Sequence, residues 1–361
     1  IGYPSNGKSS RMKENNPQPK EWTDNQRRVF LDTAQIYEAY VAAFRGGRAY
    51  RGGMHWKKSK GRDYLFRSKD RFGYGKSLGP RSPETEKILR DFRIGKARSQ
   101  DRLRSLKERL KEQARFCRAA RIQRVPRTVG GILRVLDQYG LLGRNLCVIG
   151  TNALYAYEAA AGVFVDRPVL ATEDMDLLWD IQARLKLAAE GEQPPPGLIE
   201  ILRKADRSFD LHDARRFRAV NQDGYLVDLV KPEPKNALDI ERRRLGQAGD
   251  LEAVEIRNLQ WLLSSPKFEQ IVIGEDGYPA TIICPDPRAF ALHKIWLSER
   301  ADRNPLKKTR DRHQALTVAY LLARYLPQYR FAANELKMFP KRVFDLAGKA
   351  ISEMDSPPEF G

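Results

Sequence analysis

"TEDMDLLWD", residues 172–180, places four acidic side chains in nine positions of a 361-residue chain whose formal net charge is +19. Leu177, Leu178 and Trp179 make the segment apolar, so it reads as an inner strand and not as a surface loop. Side chains of a strand alternate between its faces. Asp174 and Asp176 therefore share one face, and Met175 and Leu177 point to the other. Glu173 and Asp180 read as surface or salt-bridge residues. Charges on an edge strand that discourage aggregation are the competing reading of the acid pair.

Upstream, "NLCVIG" (145–150) is a short, continuously apolar strand, and "TNALYAYEAAAG" (151–162) is a helix closed by Gly162. Backbone N–H groups at the start of a helix, with its dipole, favour an anion. Gly150 allows close approach of a phosphate, and the Thr151 hydroxyl can donate to it. Thr151 also suits a helix N-cap. Downstream, "RRFRAVNQDGYLVDLV" (215–230) is a strand pair turning at Gln222-Asp223-Gly224. Asp228 lies between Val227 and Leu229 and must project opposite them. It is either a satisfied structural acid or the third member of a carboxylate patch, where it holds a metal or, as general base, takes the proton of an attacking hydroxyl. Three clustered carboxylates repel one another, and a hard divalent cation relieves that cost. Mg²⁺ or Mn²⁺ held there can activate a hydroxyl and stabilise a leaving pyrophosphate.

The charge is uneven along the chain. Residues 1–120 hold 30 Lys and Arg against 13 Asp and Glu, whereas residues 121–361 hold 35 against 33. A basic first third on a near-neutral remainder suggests RNA or another polyanion as partner. Residues 25–45 carry apolar side chains at helical spacing, ended by Gly46-Gly47. "MHWKKSKGRDYLFRSKDRFGYGKSLGPRS" (54–82) mixes aromatic, Gly and basic residues. These can stack bases and hold phosphates, or form the core and rim of a small sheet. "DYLFR" reads as a strand and "DRFGYGK" as a turn. From Ser82, a cap followed by Pro, a long helical stretch runs through Gln123. It reads as an exposed helical hairpin with a solvated face or as a nucleic-acid-binding helix face. A further helix follows Pro126.

Residues 267–285 read as a strand pair turning at Glu275-Asp276-Gly277, and helices follow to the end. Cys117, Cys147 and Cys284 form no CxxC pair, so no disulfide framework or cysteine zinc site is expected. A reducing cytoplasm fits this usage. There is no apolar run long enough to span a membrane. The first residues lack the apolar stretch of a secretory signal and read as a disordered tail.

"VIGTNALYAYEA" followed by "TEDMDLLWD" resembles the nucleotidyltransferase fold, the polymerase-beta-like superfamily. There a Gly-Gly/Ser turn precedes an Asp-x-Asp strand, and a third acid comes later. Gly150 and Thr151 match the turn, Asp174 and Asp176 the pair, and Asp228 the third acid. Thr151 stands where Gly or Ser is usual and keeps the hydroxyl donor of Ser. The segment between turn and acid pair is longer than in many members. The sequence is similar, more closely, to the bacterial branch that includes abortive-infection toxins. That branch has a downstream Lys and a Lys-x-x-Arg-Asp stretch, met here by "LHKIW" with Lys294 and "KKTRDRHQAL" with Lys308 and Asp311. "GRDYLFR" and "GYGKSLGPRSPETE" resemble a family of predicted nucleotidyltransferases with an N-terminal extension of this kind. The resemblance spans roughly residues 70–325. From the residues alone, Lys294 suits either a lysine aimed at a triphosphate or a snorkelling surface position, and Lys308 with Asp311 suits an intrahelical ion pair. The resemblance gives all three a role at the nucleotide.

The expected fold is α+β, a small mixed β-sheet core flanked by helices, with a basic N-terminal extension and a helical C-terminal part. The expected division is a tail at 1–24, a basic helical and hairpin module at 25–126, a nucleotidyltransferase core at 127–240, and a strand pair with helices at 241–361. The resemblance implies metal-dependent transfer of a nucleoside monophosphate from an NTP to a hydroxyl of RNA, such as a tRNA end, or of protein. A toxin-like or defence role with a protein antitoxin belongs to the same expectation. An inactive nucleic-acid-binding module and a metal-dependent nuclease are the alternatives.

Overall fold

The computed structural model describes residues 19–68, 74–180, 197–234, 249–354 and 357–360. The expected tail at 1–24 lies outside them through residue 18, as do part of the turn at 69–73, the loop at 191–196 and the segment around 240. The end of that tail is ordered, since Lys20 and Glu21 pair with Phe164 and Val163 and Trp22 is buried. The fold is α+β, as expected. Two compact units are present. One comprises residues 23–140 and 271–281, and the other the rest of the chain.

In the first unit, helix α1 (Asp24–Gly46) starts at a capping box. Thr23 accepts from the Gln26 backbone, and the Gln26 side chain accepts from the Thr23 backbone. A three-stranded antiparallel meander follows, β1 (Gly53–Ser59), β2 (Arg62–Ser68) and β3 (Gly75–Pro80). Helix α2 (Pro83–Ala119) begins at a second capping box, Ser82 with Thr85. It is one continuous helix of 37 residues and not the expected hairpin. Gly95, its one interior glycine, does not break it. A Cβ there would stand 2.4 Å from the Tyr50 ring, so the position is small to seat that ring. Leu106, Leu110, Ala114 and Cys117 form the buried stripe of α2, with Ile36 and Tyr37 of α1 packed on Leu106 and Leu110. Helix α3 (Arg127–Gln138) follows Pro126, as its sequence predicts.

The second unit is built on a mixed sheet. Strand β4 (Leu146–Ile149) leads through a 3-10 turn (Gly150–Ala153) into helix α4 (Leu154–Ala161), which Gly162 ends in the left-handed conformation at φ 64°. Strand β5 (Asp174–Trp179), helix α5 (Leu198–Ala205), and strands β6 (Asp210–His212), β7 (Arg215–Val220), β8 (Leu226–Pro232) and β9 (Val254–Ile256) follow. The sheet order is β4-β5-β8-β7-β6, and β9 pairs with β8. Strands β5 and β8 are parallel, as are β8 and β9; the other pairings are antiparallel. Helix α6 (Leu259–Ser264) precedes a hairpin of β10 (Lys267–Ile273) and β11 (Pro279–Pro285), of which residues 271–281 are counted with the first unit. Helices α7 (Pro287–Glu299), α8 (Pro305–Tyr325) and α9 (Lys341–Ser352) complete the chain. Asp286 and Asn304 cap α7 and α8 by accepting from Arg288 N and Leu306 N, each followed by Pro at the first helical position.

Candidate functional site

One row of residues crosses four strands of the mixed sheet. Ile149 on β4 pairs with Asp176 on β5, Asp176 with Asp228 on β8, and Asp228 with Arg218 on β7. Asp174 stands two residues before Asp176 on the same face. The alternation that aims both acids one way is that of the strand, held by the fully buried Met175, Leu177 and Trp179 beneath. Burial, with the charges of Asp174 and Asp228, pushes the Asp176 carboxyl up to about 7. Lys294 and Lys307 act in the opposite direction.

Gly150, next to the row, has φ +69°. A Cβ there would lie 2.6 Å from Asp176 Oδ2. A bare backbone is therefore what lets the turn approach the acid. Asn152 donates to the Asp174 carbonyl at 2.7 Å and ties the turn to β5. The Thr172 hydroxyl donates to the Asp174 carboxylate.

Thr151 is not an N-cap. The turn opens as a 3-10 segment with Ile149 in the cap position and no side-chain cap bond. Instead the buried Thr151 hydroxyl accepts from Arg310 at 2.9 Å and Gln314 at 3.1 Å, both on α8. Its own proton remains available to donate.

The three acids share a patch, but not as an open three-carboxylate cage. Arg218 grips Asp228 with both nitrogens, Nε to Oδ1 at 2.7 Å and Nη2 to Oδ2 at 2.6 Å. Among the described residues no group of three His, Cys, Asp or Glu is arranged as a metal set. Register sets Arg218 directly across from Asp228, where it answers that charge. Asp174 and Asp176 fit a hard cation by their donor chemistry and mutual repulsion. Asp228 meets one only by sharing with Arg218.

Lys294 is buried, and its ammonium donates to Asp311 Oδ1 at 2.6 Å. Burial lowers its pKa, and Asp311 opposes that shift. Arg303 donates to the other Asp311 oxygen at 2.8 Å. The expected intrahelical pairing of Asp311 with Lys308 is replaced by these two. A cavity of about 270 Å³ gathers Gly150, Thr151, Asp174, Asp176, Asp228, Lys294 and Asp311, and Lys308 does not line it. Lys307 and Arg310 do. On a helix, positions 307, 310, 311 and 314 share a face and 308 falls beside it.

Sequence reasoning missed Arg218, Lys307 and Arg310. Each left a signal. Lys307, not Lys308, holds the first place of Lys-x-x-Arg-Asp with Arg310 and Asp311. Arg218 and Asp228 lie equally far on either side of Asp223, the centre of the hairpin turn.

Acids able to hold a cation thus face amines able to meet phosphates across one cavity, with a glycine turn between them. A family model described as nucleotidyltransferase matches residues 127–338, more than half of the chain. The chain belongs to this nucleotidyltransferase family. No curated protein and no solved structure matches it.

Proposed function

We propose that the protein transfers a nucleoside monophosphate from an NTP to a hydroxyl acceptor in a reaction dependent on Mg²⁺ or Mn²⁺. The observation that supports it most is the pairing of Asp176 with Asp228 on parallel strands, with the Gly150 backbone set against Asp176. The acceptor oxygen attacks the α-phosphorus, the bond to the β-phosphate oxygen breaks, and pyrophosphate leaves. Asp174 and Asp176 would hold the metal, which supplies charge neutralisation at the phosphates. Asp228 takes the acceptor proton or joins the metal set. Its pairing with Arg218 orients it, and each oxygen keeps a second lone pair. Gly150 and Thr151 receive phosphate oxygens. Lys294, with Lys307 and Arg310, balances their charge, and Asp311 positions Lys294. Lys308, outside the cavity wall, acts in this reading only through the general field of α8.

The acceptor is RNA, tRNA-like, in this reading. Residues 23–140 and 271–281 carry 30 Lys and Arg against 14 Asp and Glu, and the rest of the chain 35 against 32. A protein acceptor would use the same core. The cytoplasmic setting and the toxin-like role with an antitoxin partner rest on cysteine usage and on the resemblance. The second reading, an inactive nucleic-acid-binding member, is favoured by the hold of Arg218 on Asp228.

One assay separates these readings. The full chain is incubated with each α-labelled NTP, Mg²⁺ or Mn²⁺, and total RNA. Label on RNA that is lost in Asp174→Ala plus Asp176→Ala is the expected result, and label on protein would move the acceptor to protein. Shortened RNA without label indicates a nuclease. RNA binding without transfer, unchanged in the double variant, leaves the inactive module.

A further inference from the structure

The meander β1-β2-β3 has two unlike faces. Register pairs Trp56 with Leu65 and Met54 with Arg67 on one, and His55 with Phe66 and Lys57 with Tyr64 on the other. The first face packs inward. Leu65 is fully buried, and the Arg67 guanidinium lies 4.3 Å from the ring centre of Phe92 on α2.

The second face carries His55, Lys57 and Arg62, all exposed, with Tyr64 and Phe66 half-buried between them. The His55 and Phe66 rings are 5.8 Å apart, and Lys57 Nζ is 5.3 Å from the Phe66 centre. No carboxylate of β1 or β2 shares this face, because Asp63 pairs with Lys58 on the other. A soluble sheet ordinarily turns such rings inward and covers its open side with polar residues. Here the open side has aromatic surface bordered by cations, within a unit carrying 30 Lys and Arg against 14 acids.

We propose that this face binds single-stranded nucleic acid, stacking successive bases on Phe66 and Tyr64 with Lys57 and Arg62 at the phosphates. Aromatic faces accept any base, and cations track the backbone whatever its sequence. A duplex keeps its bases stacked on one another and offers only phosphates, so it gains nothing from the rings. The inference deepens the RNA-acceptor reading above and rests on it for its biological use. RNA and DNA strands share the chemistry that the face recognises.

The test uses the full chain and a short single-stranded RNA carrying 2-aminopurine, the DNA of the same sequence, and the corresponding duplex. Binding with a change in 2-aminopurine fluorescence is expected for both single strands. Tyr64→Leu with Phe66→Leu keeps apolar bulk, removes the rings, and should weaken binding about tenfold or more. His55→Ala with Lys57→Ala, at exposed positions, should weaken binding more at low salt than at high salt. Far-UV circular dichroism confirms that each variant is folded. Unchanged affinity and fluorescence in both variants would overturn the proposal, as would a duplex bound as tightly as the single strands. Absence of any strand binding by the unaltered protein overturns it and removes the RNA acceptor with it. Pyrophosphate release on the Asp174 and Asp176 variants reports the transfer reading separately.

Discussion

Gly150 is the residue whose replacement should show most directly how the site is held. Its φ of +69° disfavours any Cβ, and a Cβ there would also press on Asp176 Oδ2. Gly150→Ala should cost about 1–2 kcal/mol in denaturant unfolding from the backbone alone. It should also abolish NTP-dependent thermal stabilisation, because the turn can then no longer lie against the acid. His293 gives a residue-scale pH prediction. Burial first, then the neighbouring Lys294, pushes it down from 6.5 to about 3, among the rings of Trp261 and Trp296. Unfolded His293 takes a proton below pH 6.5, whereas the folded residue does not until near pH 3. Its stability contribution is therefore present above pH 6.5 and lost as pH falls toward 3, by about 1.4 kcal/mol per unit. Urea unfolding of His293→Phe should show a shallower acid loss in this window than the unaltered protein.

At the scale of elements, α7 and α8 are joined through charge. Asp311 holds Lys294 on one oxygen and Arg303 on the other, and both Asp311 and Lys294 are buried. Asp311→Asn leaves a buried ammonium beside a neutral amide and should cost about 3 kcal/mol. Lys294→Met should cost less, since Arg303 still answers Asp311. Thermal melts of the two variants check the order. Helix α2 makes a smaller prediction. Loss of the Ser82 cap in Ser82→Ala should cost about 1 kcal/mol, without moving the acidic site.

Across the whole molecule, the charge divides by unit. Residues 23–140 and 271–281 are strongly basic, whereas the remainder is near balance. RNA affinity of the full chain should fall linearly in a plot of log affinity against log salt, with a slope of roughly −0.7 for each phosphate contacted on a single strand. A flat plot in a filter-binding assay would remove the polyanion from the reading. The three cysteines are buried. A thiol reagent should therefore react with them only after unfolding.

Much of this was legible one segment at a time. The period of two along "DMDLLW" placed Asp174 and Asp176 on one face, because strand alternation is a property of the backbone. The turn at Gln222-Asp223-Gly224, the left-handed end at Gly162 and the Pro-led helices were legible for the same local reason. Helix α2 was harder, since a run dense in Arg and Lys with Gly95 inside it suits one helix or two. The packing of Gly95 on Tyr50 and of Leu106 and Leu110 on α1 decided it.

By itself the sequence determined the strands, the turns, the basic bias of its first third and the order of glycine turn, acid pair and third acid. Tertiary structure alone decided that β5 and β8 run side by side in parallel, which sets Asp176 against Asp228 although they lie far apart in the chain. It decided that Arg218 closes on Asp228, that Asp311 answers Lys294 and not Lys308, and that Thr151 accepts from α8 and caps nothing. Local periodicity says which way a side chain points within its own element. What stands opposite it depends on register and packing between elements distant in sequence, and no local pattern records that.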